Sequence, residues 1–207
     1  MKLFYSSGSC STSCHIGLEE SGLPHELAAL DWDKNQNVAE LERLNPLGCV
    51  PVLVNNEGRA LTQNEAILQH IADLAPAKKL LAPVGTWERA ETLAWLSFVA
   101  ADLHKAFSPL FIIDRVYKSE EAKGEIRAAT TANVHKHLVH VNAHLADRDY
   151  LMGSQFTIAD CYLFVVATWG EWMNLDMTPY VHLNAYLKRV AARPAVHKVM
   201  EIEGLLD

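Results

Sequence analysis

The chain has 207 residues, half of them hydrophobic and 21% charged, which is enough to bury a sizeable core in one large domain or two small ones. Its 18 Lys and Arg against 25 Asp and Glu give a net charge of -7. This composition excludes a disordered chain, and the charge has the wrong sign for binding nucleic-acid phosphates or an anionic membrane surface.

The first 78 residues alternate between strand and helix signals. The patterns predict strands over 1–5, 26–31, 50–54 and 59–61, and helices over 14–21, 38–44 and 64–74. The run NNEG (55–58) is a hairpin turn signal between the last two strands. This order predicts a small mixed sheet with helices packed on it.

From residue 87 onward strand signals disappear and helical periodicity continues to the C-terminus. Helices are predicted over 87–107, 122–145, 157–173 and 178–192, the last ending at Arg193-Pro194. Thr157 and Asp160 are predicted to cap the third of these helices, with Phe156 as a hydrophobic staple. We therefore predict an α/β domain over 1–78, a linker over 79–86 and an all-α domain over 87–207.

The targeting signals and the cysteine pattern of the sequence both indicate the cytoplasm. No signal-peptide core follows Lys2, and the densest apolar stretch, Cys161 to Trp169, is far shorter than the roughly 20 residues of a membrane span. The four cysteines form no C-x-x-C pair. We expect a cytoplasmic protein without structural disulfides.

The serine-rich segment around Cys10 could hold a reactive thiol. Cys10 follows a strand and opens a helix, where backbone N–H groups and the helix dipole favour an anion, so we expect an acidified thiol. Ser13 stands where a dithiol oxidoreductase would have its second cysteine. The alternative for Cys10 is a buried structural cysteine, which is our expectation for Cys14.

Two further segments could bind a ligand. A cis Val50-Pro51 bond would turn the Val50 backbone towards an extended peptide-like ligand, while an ordinary edge-strand proline is an equal alternative. Thr62 and Glu65 fit a capping box, and the N-terminus of the same helix could hold a carboxylate beside Gln63 and Asn64.

Four histidines fall on one predicted helix. His137, His140 and His144 share a face, a spacing that could bind a transition metal, and His135 lies nearby. A solvated polar face is the better interpretation, so we expect no metal.

Together these segments resemble the cytosolic glutathione S-transferases, closest to the bacterial beta class, over essentially the whole chain. The matching segments, in the family's order, are KLFYSSGSCS, NPLGCVPVLV, LTQNEAILQHIAD, LLAPVG, DLHKAFSPLF and FTIADCYLF. The resemblance implies a thioredoxin-like N-terminal domain, an all-α helical bundle as C-terminal domain, and a two-fold homodimer.

The resemblance also implies glutathione as co-substrate. Cys10 would contact its sulfur or form a mixed disulfide with it, and His104 and Lys105 would reach towards that cysteine from the second domain. Val50 would pair with the cysteinyl unit, while Gln63 and Asn64 would hold the γ-glutamyl carboxylate.

Four further glutathione-binding candidates follow from the same resemblance, namely Ser11, Lys34, Pro51 and Ser97. Departures from the family pattern at Gln63, Asn64, Lys34 and Ser97 predict weaker glutathione binding than is typical. The candidates for the apolar wall of the acceptor pocket are Phe107, Phe111, Ile112 and Trp169.

The function predicted from this resemblance is detoxification: transfer of the glutathione thiolate to small hydrophobic electrophiles, or thiol exchange through Cys10. One alternative is a zeta-class-like maleyl isomerase, against which the lack of any arginine before Arg43 argues. The other is a non-catalytic protein of the same fold that binds ligands or partners.

Overall fold

The first part of the chain is a four-stranded sheet covered by helices. The structure is a computed structural model and describes residues 1–206. The strands are β1 (Lys2–Tyr5), β2 (Glu26–Ala29), β3 (Val52–Val54) and β4 (Ala60–Thr62). Their order is β2-β1-β3-β4, with β1 parallel to β2 and the other pairs antiparallel. The predicted mixed sheet is confirmed.

Three helices belong to this part: α1 (Ser11–Ser21), α2 (Val38–Leu44) and α3 (Asn64–Leu74). The predicted bounds of α2 and α3 agree with the structure. The helix α1 starts three residues earlier than predicted, and β3 starts two residues later. Pro51 lies before the ladder because it has no N–H to donate.

In the described residues of the second part, up to 206, the regular elements are helices. They are α4 (Trp87–Phe98), α5 (His104–Val116), α6 (Glu120–His144), α7 (Ile158–Trp172), α8 (Val181–Ala191) and α9 (Pro194–Ile202). A π-helical turn, Val99–Leu103, joins α4 to α5 without a break. The fold is thus a thioredoxin-like α/β unit followed by an all-helical unit. The domain limits at 78 and 87 stay a prediction.

Two of the differences from the predicted helices involve prolines. The helix predicted to stop at Phe107 continues to Val116 with Pro109 inside it. The helix α9 was not predicted, because Arg193-Pro194 was interpreted as a stop. Pro194 instead occupies the first turn of α9, where its missing N–H costs no hydrogen bond.

The two parts share one continuous core, in which α1 packs against α3, α7 and α9. At its edge Arg193 pairs with both carboxylate oxygens of Glu20, at 2.7 and 2.9 Å, and covers the ring of Phe156. The predicted cap of α7 is present, since the Asp160 carboxylate accepts from the N–H and the hydroxyl of Thr157. Cys14 is buried as expected, and all four cysteines are free.

The continuous helix over Trp87–Val116 is long and apolar enough to cross a membrane by length and composition, with a mean hydropathy of 1.4. Its apolar character has a different explanation. Leu96, Val99, Leu103 and Phe107 on this helix are buried in the protein core.

The α6 histidines lie on an exposed or partly exposed face, as expected, and they also contact aromatic rings. His137 and His140 pack against the ring of Phe98, and His140 and His144 lie against Trp95. Within residues 1–206 these histidines do not assemble into a metal-binding group.

Candidate active site

Cys10 lies at the start of α1, on a loop held by serine hydroxyls. The Ser11 hydroxyl is fully buried, accepts from the Ser6 N–H at 3.0 Å and donates to the Ser6 carbonyl at 3.2 Å. Ser11 therefore closes the loop that presents Cys10, and its side chain has no surface left for a ligand. The Cys10 thiol is partly exposed and faces the Val50 carbonyl at 3.8 Å.

The acidified Cys10 thiol that we expected is not what the structure supports. Burial raises the pKa of Cys10 to about 11, and this outweighs the lowering by the hydrogen bond from Asn64 and by the positive charge of Lys105. Near neutral pH the protonated form of this thiol therefore predominates. Cys10 is thus mainly a protonated thiol that can donate a hydrogen bond, and its nucleophilic thiolate is the minor form.

Alkylation tests this property directly. We expect the rate of Cys10 modification by iodoacetamide to rise about tenfold per pH unit from pH 7 to 10, because the thiolate is the reactive form. Peptide mass spectrometry over this range measures the rate, with the exposed Cys49 as internal reference. A rate that levels off near pH 7 would contradict the burial argument.

Asn64 connects the start of α3 to the start of α1. Its side-chain amide donates to the Cys10 carbonyl at 2.7 Å, and its oxygen accepts from Ser13 and Cys14, both at 3.0 Å. This side chain is fully committed, so Asn64 could contact a ligand carboxylate only through its backbone N–H at the helix N-terminus.

Gln63 is the residue directly before α3, and its side chain is exposed. Its φ of 74° places the backbone in a region that side chains other than glycine rarely adopt. The predicted capping box of Thr62 and Glu65 is wrong, because Gln63 occupies the N-cap position and no side chain caps the helix.

The Val50-Pro51 bond is cis, the first of the two alternatives from the sequence. Pro51 is buried, while Val50 is half-buried and lies opposite Cys10. In residues 1–206 the Val50 N–H has no backbone hydrogen bond. The Val50 N–H is therefore free to pair with a ligand beside the thiol.

His104 and Lys105 follow the π-helical turn at the start of α5, and the charge of Lys105 acts on Cys10 from the second part. Burial and the charge of Lys105 lower the pKa of His104 to about 4, so its imidazole is neutral at physiological pH. Its Nδ1 atom shares a hydrogen bond of 2.7 Å with the Tyr162 hydroxyl. Lys105, which is exposed, supplies the positive charge near Cys10.

Tyr162 was missed by the sequence analysis. Its ring is buried on α7, and its pKa is raised by burial and by Cys10 and Cys14, while a hydrogen bond with Asn64 opposes the rise. Tyr162 thus connects His104 to the asparagine that holds the Cys10 carbonyl. The only signal was a tyrosine in an apolar helix, since a buried tyrosine hydroxyl needs a partner.

The four candidates for the acceptor wall separate into two pairs. Phe107 and Trp169 are buried in the core, and the Trp169 ring donates its N–H to the Gly8 carbonyl at 2.9 Å. These two side chains therefore support the site from the protein core. Phe111 is 46% exposed and packs edge-on against Trp169, and Ile112 is half-buried. Only this second pair has surface for a small molecule.

The structure does not bring Lys34 or Ser97 to this group of side chains. Lys34 is exposed and pairs with Asp31 at 2.8 Å, and Ser97 lies on the exposed face of α4. Within residues 1–206 neither side chain hydrogen-bonds to a residue around Cys10.

Glu203 is a second residue that the sequence analysis missed. It lies at the C-terminal end of α9, and its fully buried carboxylate accepts from the Gly8 N–H at 3.1 Å and the Thr12 hydroxyl at 2.7 Å. Its other oxygen accepts from Nδ1 of His15 at 2.8 Å. The C-terminal segment therefore holds the loop before Cys10 and the first turn of α1.

Comparisons with known proteins agree with this arrangement. A family model for the glutathione S-transferase N-terminal domain matches residues 8–74, and one for the C-terminal domain matches residues 91–194. Glutathione S-transferase GstA of Escherichia coli O157:H7 is 41% identical over 207 residues, covering 99% of this chain and all of the relative. Glutathione S-transferase GST-4.5 of Xanthomonas campestris pv. campestris is 39% identical, covering 99% of this chain and 100% of the relative.

Solved structures show the same likeness. A sphingomonad glutathione S-transferase complexed with glutathione superposes with a TM-score of 0.89 at 38% identity, and each chain is covered completely. The chain belongs to the glutathione S-transferase family of enzymes.

Proposed function

We propose that the glutathione site lies between the start of α1, the Val50 backbone and the N-terminus of α3. The cysteinyl unit pairs with Val50, which places the glutathione sulfur beside Cys10. The γ-glutamyl carboxylate lies against the N-terminal N–H groups of α3 and the exposed Gln63 side chain. Lys105 and His104 face the sulfur and the glycyl end from the second part. The partner substrate is a small hydrophobic electrophile held near Phe111 and Ile112.

The observation that carries the proposal is a partly exposed, protonated thiol between the free backbone N–H of Val50 and a lysine. A thiol donor and a cation beside a second thiol favour the ionised form of that thiol. The glutathione thiolate then attacks the electrophile, and the enzyme supplies orientation and a lowered glutathione pKa. Thiol exchange needs ionised Cys10, so its high pKa favours conjugation.

We extend the proposal to a beta-class enzyme of detoxification that is soluble in the cytoplasm and forms a two-fold homodimer. A sphingomonad structure described as bacterial beta class, 37% identical with a TM-score of 0.89, supports the class. The two alternatives are not favoured. The isomerase would need several cationic groups beside the serine-rich loop. In residues 1–206, by contrast, the one cation that acts on Cys10 is Lys105.

Calorimetric titration of glutathione into the wild type and Cys10→Ala, with mass spectrometry of the wild type, tests the site. We expect both proteins to bind glutathione. When oxidised glutathione is supplied, we expect the glutathionyl adduct on Cys10 to form more slowly than the adduct on the exposed Cys49, because the raised pKa of Cys10 leaves little thiolate. Conjugation of a chlorodinitrobenzene should fall at least about tenfold in Cys10→Ala, the effect of losing a hydrogen bond to a charged group.

Cys49→Ala is the matched control, because Cys49 is an exposed thiol on the segment before Val50. It should bind and conjugate like the wild type. Failure of wild type and Cys10→Ala to bind glutathione would overturn the site and favour a non-catalytic protein. Full conjugation by Cys10→Ala would remove Cys10 from the mechanism.

A further inference from the structure

His15, Glu19 and His25 form a cluster at α1. This cluster is separate from the place where Cys10 faces Val50. One ligand atom from each of the three lies within 4.8 Å of the others. His15 and Glu19 are four residues apart on α1, so they share a helix face, and His25 follows the turn that leads into β2. The glutathione site uses none of these side chains.

His15 provides the observation that points to a ligand. Its side chain is completely buried, and within residues 1–206 its Nε2 is the buried side-chain polar atom without a hydrogen-bond partner. Its Nδ1 lies 2.8 Å from a carboxylate oxygen of Glu203, which can only accept, so the proton sits on Nδ1. In the neutral imidazole the lone pair of Nε2 then has no hydrogen-bond partner, and His15 belongs to the cluster whose ligand atoms lie within 4.8 Å of one another.

The imidazole of His25 has the same arrangement of hydrogen bonds as that of His15. Its Nδ1 donates to the Leu23 carbonyl at 2.9 Å, which leaves the lone pair of Nε2 available. That Nε2 lies 3.6 Å from Oε1 of Glu19, and the two side chains are only 11% and 14% exposed. Lys198 pairs with the other Glu19 oxygen, Oε2, at 2.8 Å. One carboxylate oxygen and two imidazole nitrogens thus converge.

We propose that His15, Glu19 and His25 bind a divalent transition-metal ion, with Zn²⁺ as the best match. Two imidazoles and a carboxylate are borderline ligands that suit Zn²⁺, and metal-bound histidines characteristically donate their other N–H to a carboxylate or a carbonyl. Glu203 and the Leu23 carbonyl fill these outer positions.

The geometry needs only a small adjustment. Zn–N bonds of about 2.0–2.1 Å put tetrahedral ligand atoms roughly 3.4 Å apart, so atoms that lie within 4.8 Å of one another need to close in by at most about 1.4 Å. A cleft bordered by Glu19, Pro24, His25 and Lys198 leads to the cluster and leaves room for water as the fourth ligand. The positive charge of Lys198 opposes the ion and limits its affinity.

The ion joins α1 to the start of β2. Through Glu203 it also stabilises the contacts to Gly8 and Thr12 that hold the loop before Cys10. The site is structural, because it does not contact the Cys10 thiol. This proposal replaces the expectation of no metal, which rested on the α6 histidines.

The test uses the full chain without an affinity tag, stripped with a chelator and kept reduced. Competition with a chromophoric indicator measures Zn²⁺ binding. We expect one Zn²⁺ per chain with a dissociation constant on the order of micromolar, weakened at least about 100-fold in Glu19→Gln and in His25→Phe. Saturating Zn²⁺ should raise the melting temperature of the wild type by roughly 5–10 °C, and not that of Glu19→Gln.

The double variant His137→Gln/His140→Gln is the control, and it should bind Zn²⁺ as the wild type does. Glutamine has nearly the same shape as glutamate, so Glu19→Gln tests whether this cluster binds Zn²⁺ even if His25→Phe folds poorly. Three results would overturn the proposal: no wild-type binding below about 1 mM, unchanged binding in Glu19→Gln, or loss of binding in the α6 control. Intense near-ultraviolet thiolate bands with Co²⁺ would overturn it as well, because they would place the ion on a cysteine.

Discussion

Replacing Glu203 by alanine is expected to lower the free energy of unfolding by about 3–5 kcal/mol. The change removes the carboxylate that accepts from the Gly8 N–H, the Thr12 hydroxyl and Nδ1 of His15. These three donors are buried or lie in a buried turn, so each would be left without a partner or with a penetrating water. Urea denaturation followed by circular dichroism measures the loss.

Glu201→Ala is the matched control, because Glu201 is an exposed glutamate in the same helix. It should leave the urea midpoint almost unchanged. A Glu203→Ala protein as stable as Glu201→Ala would show that the Glu203 contacts add nothing to folding. The Glu203 variant should also bind glutathione more weakly, since its partners Gly8 and Thr12 lie on either side of Cys10.

The parts of the fold with strong local signals could be predicted from the sequence. The helices α2 and α3 have clear periodicity and clear stops, and their bounds agree with the structure. Proline was the main source of error, because Pro109 lies inside α5 and Pro194 begins α9. Proline is compatible with several positions in a helix, so its presence alone does not fix an end.

Predictions for the site were limited by long-range contacts. Cys10, Val50 and the α3 N-terminus could be chosen as site candidates from local segments, and their role in the site stays a prediction. Glu203 contacts the Cys10 loop across 195 residues of chain, and Tyr162 contacts His104 across 58, which no local pattern reveals. The ionisation of Cys10 was wrongly expected for a similar reason, because burial depends on tertiary packing.

Replacing Asp160 by alanine should destabilise the protein by about 3–4 kcal/mol. Asp160 is fully buried, and its carboxylate accepts from the Leu151 N–H at 2.9 Å, from the N–H and hydroxyl of Thr157, and from the Tyr186 hydroxyl at 3.3 Å. Alanine would remove the cap of α7 and leave these buried donors unpaired. Thermal and urea unfolding of the purified variant measure the change.

Asp176→Ala is the control that distinguishes the effect of burial on stability from the effect of the hydrogen bonds themselves. Asp176 makes a similar pair of contacts, accepting from the N–H of Thr178 at 3.0 Å and its hydroxyl at 2.6 Å, but it is exposed to solvent. Water can replace the lost acceptor there, so the variant should be far less destabilised than Asp160→Ala. Equal losses in the two variants would mean that the hydrogen bonds themselves, and not their burial, set the stability of the α7 cap. A large loss for Asp160 alone would place that stability in the desolvation of the donors, because only buried donors lack a replacement partner.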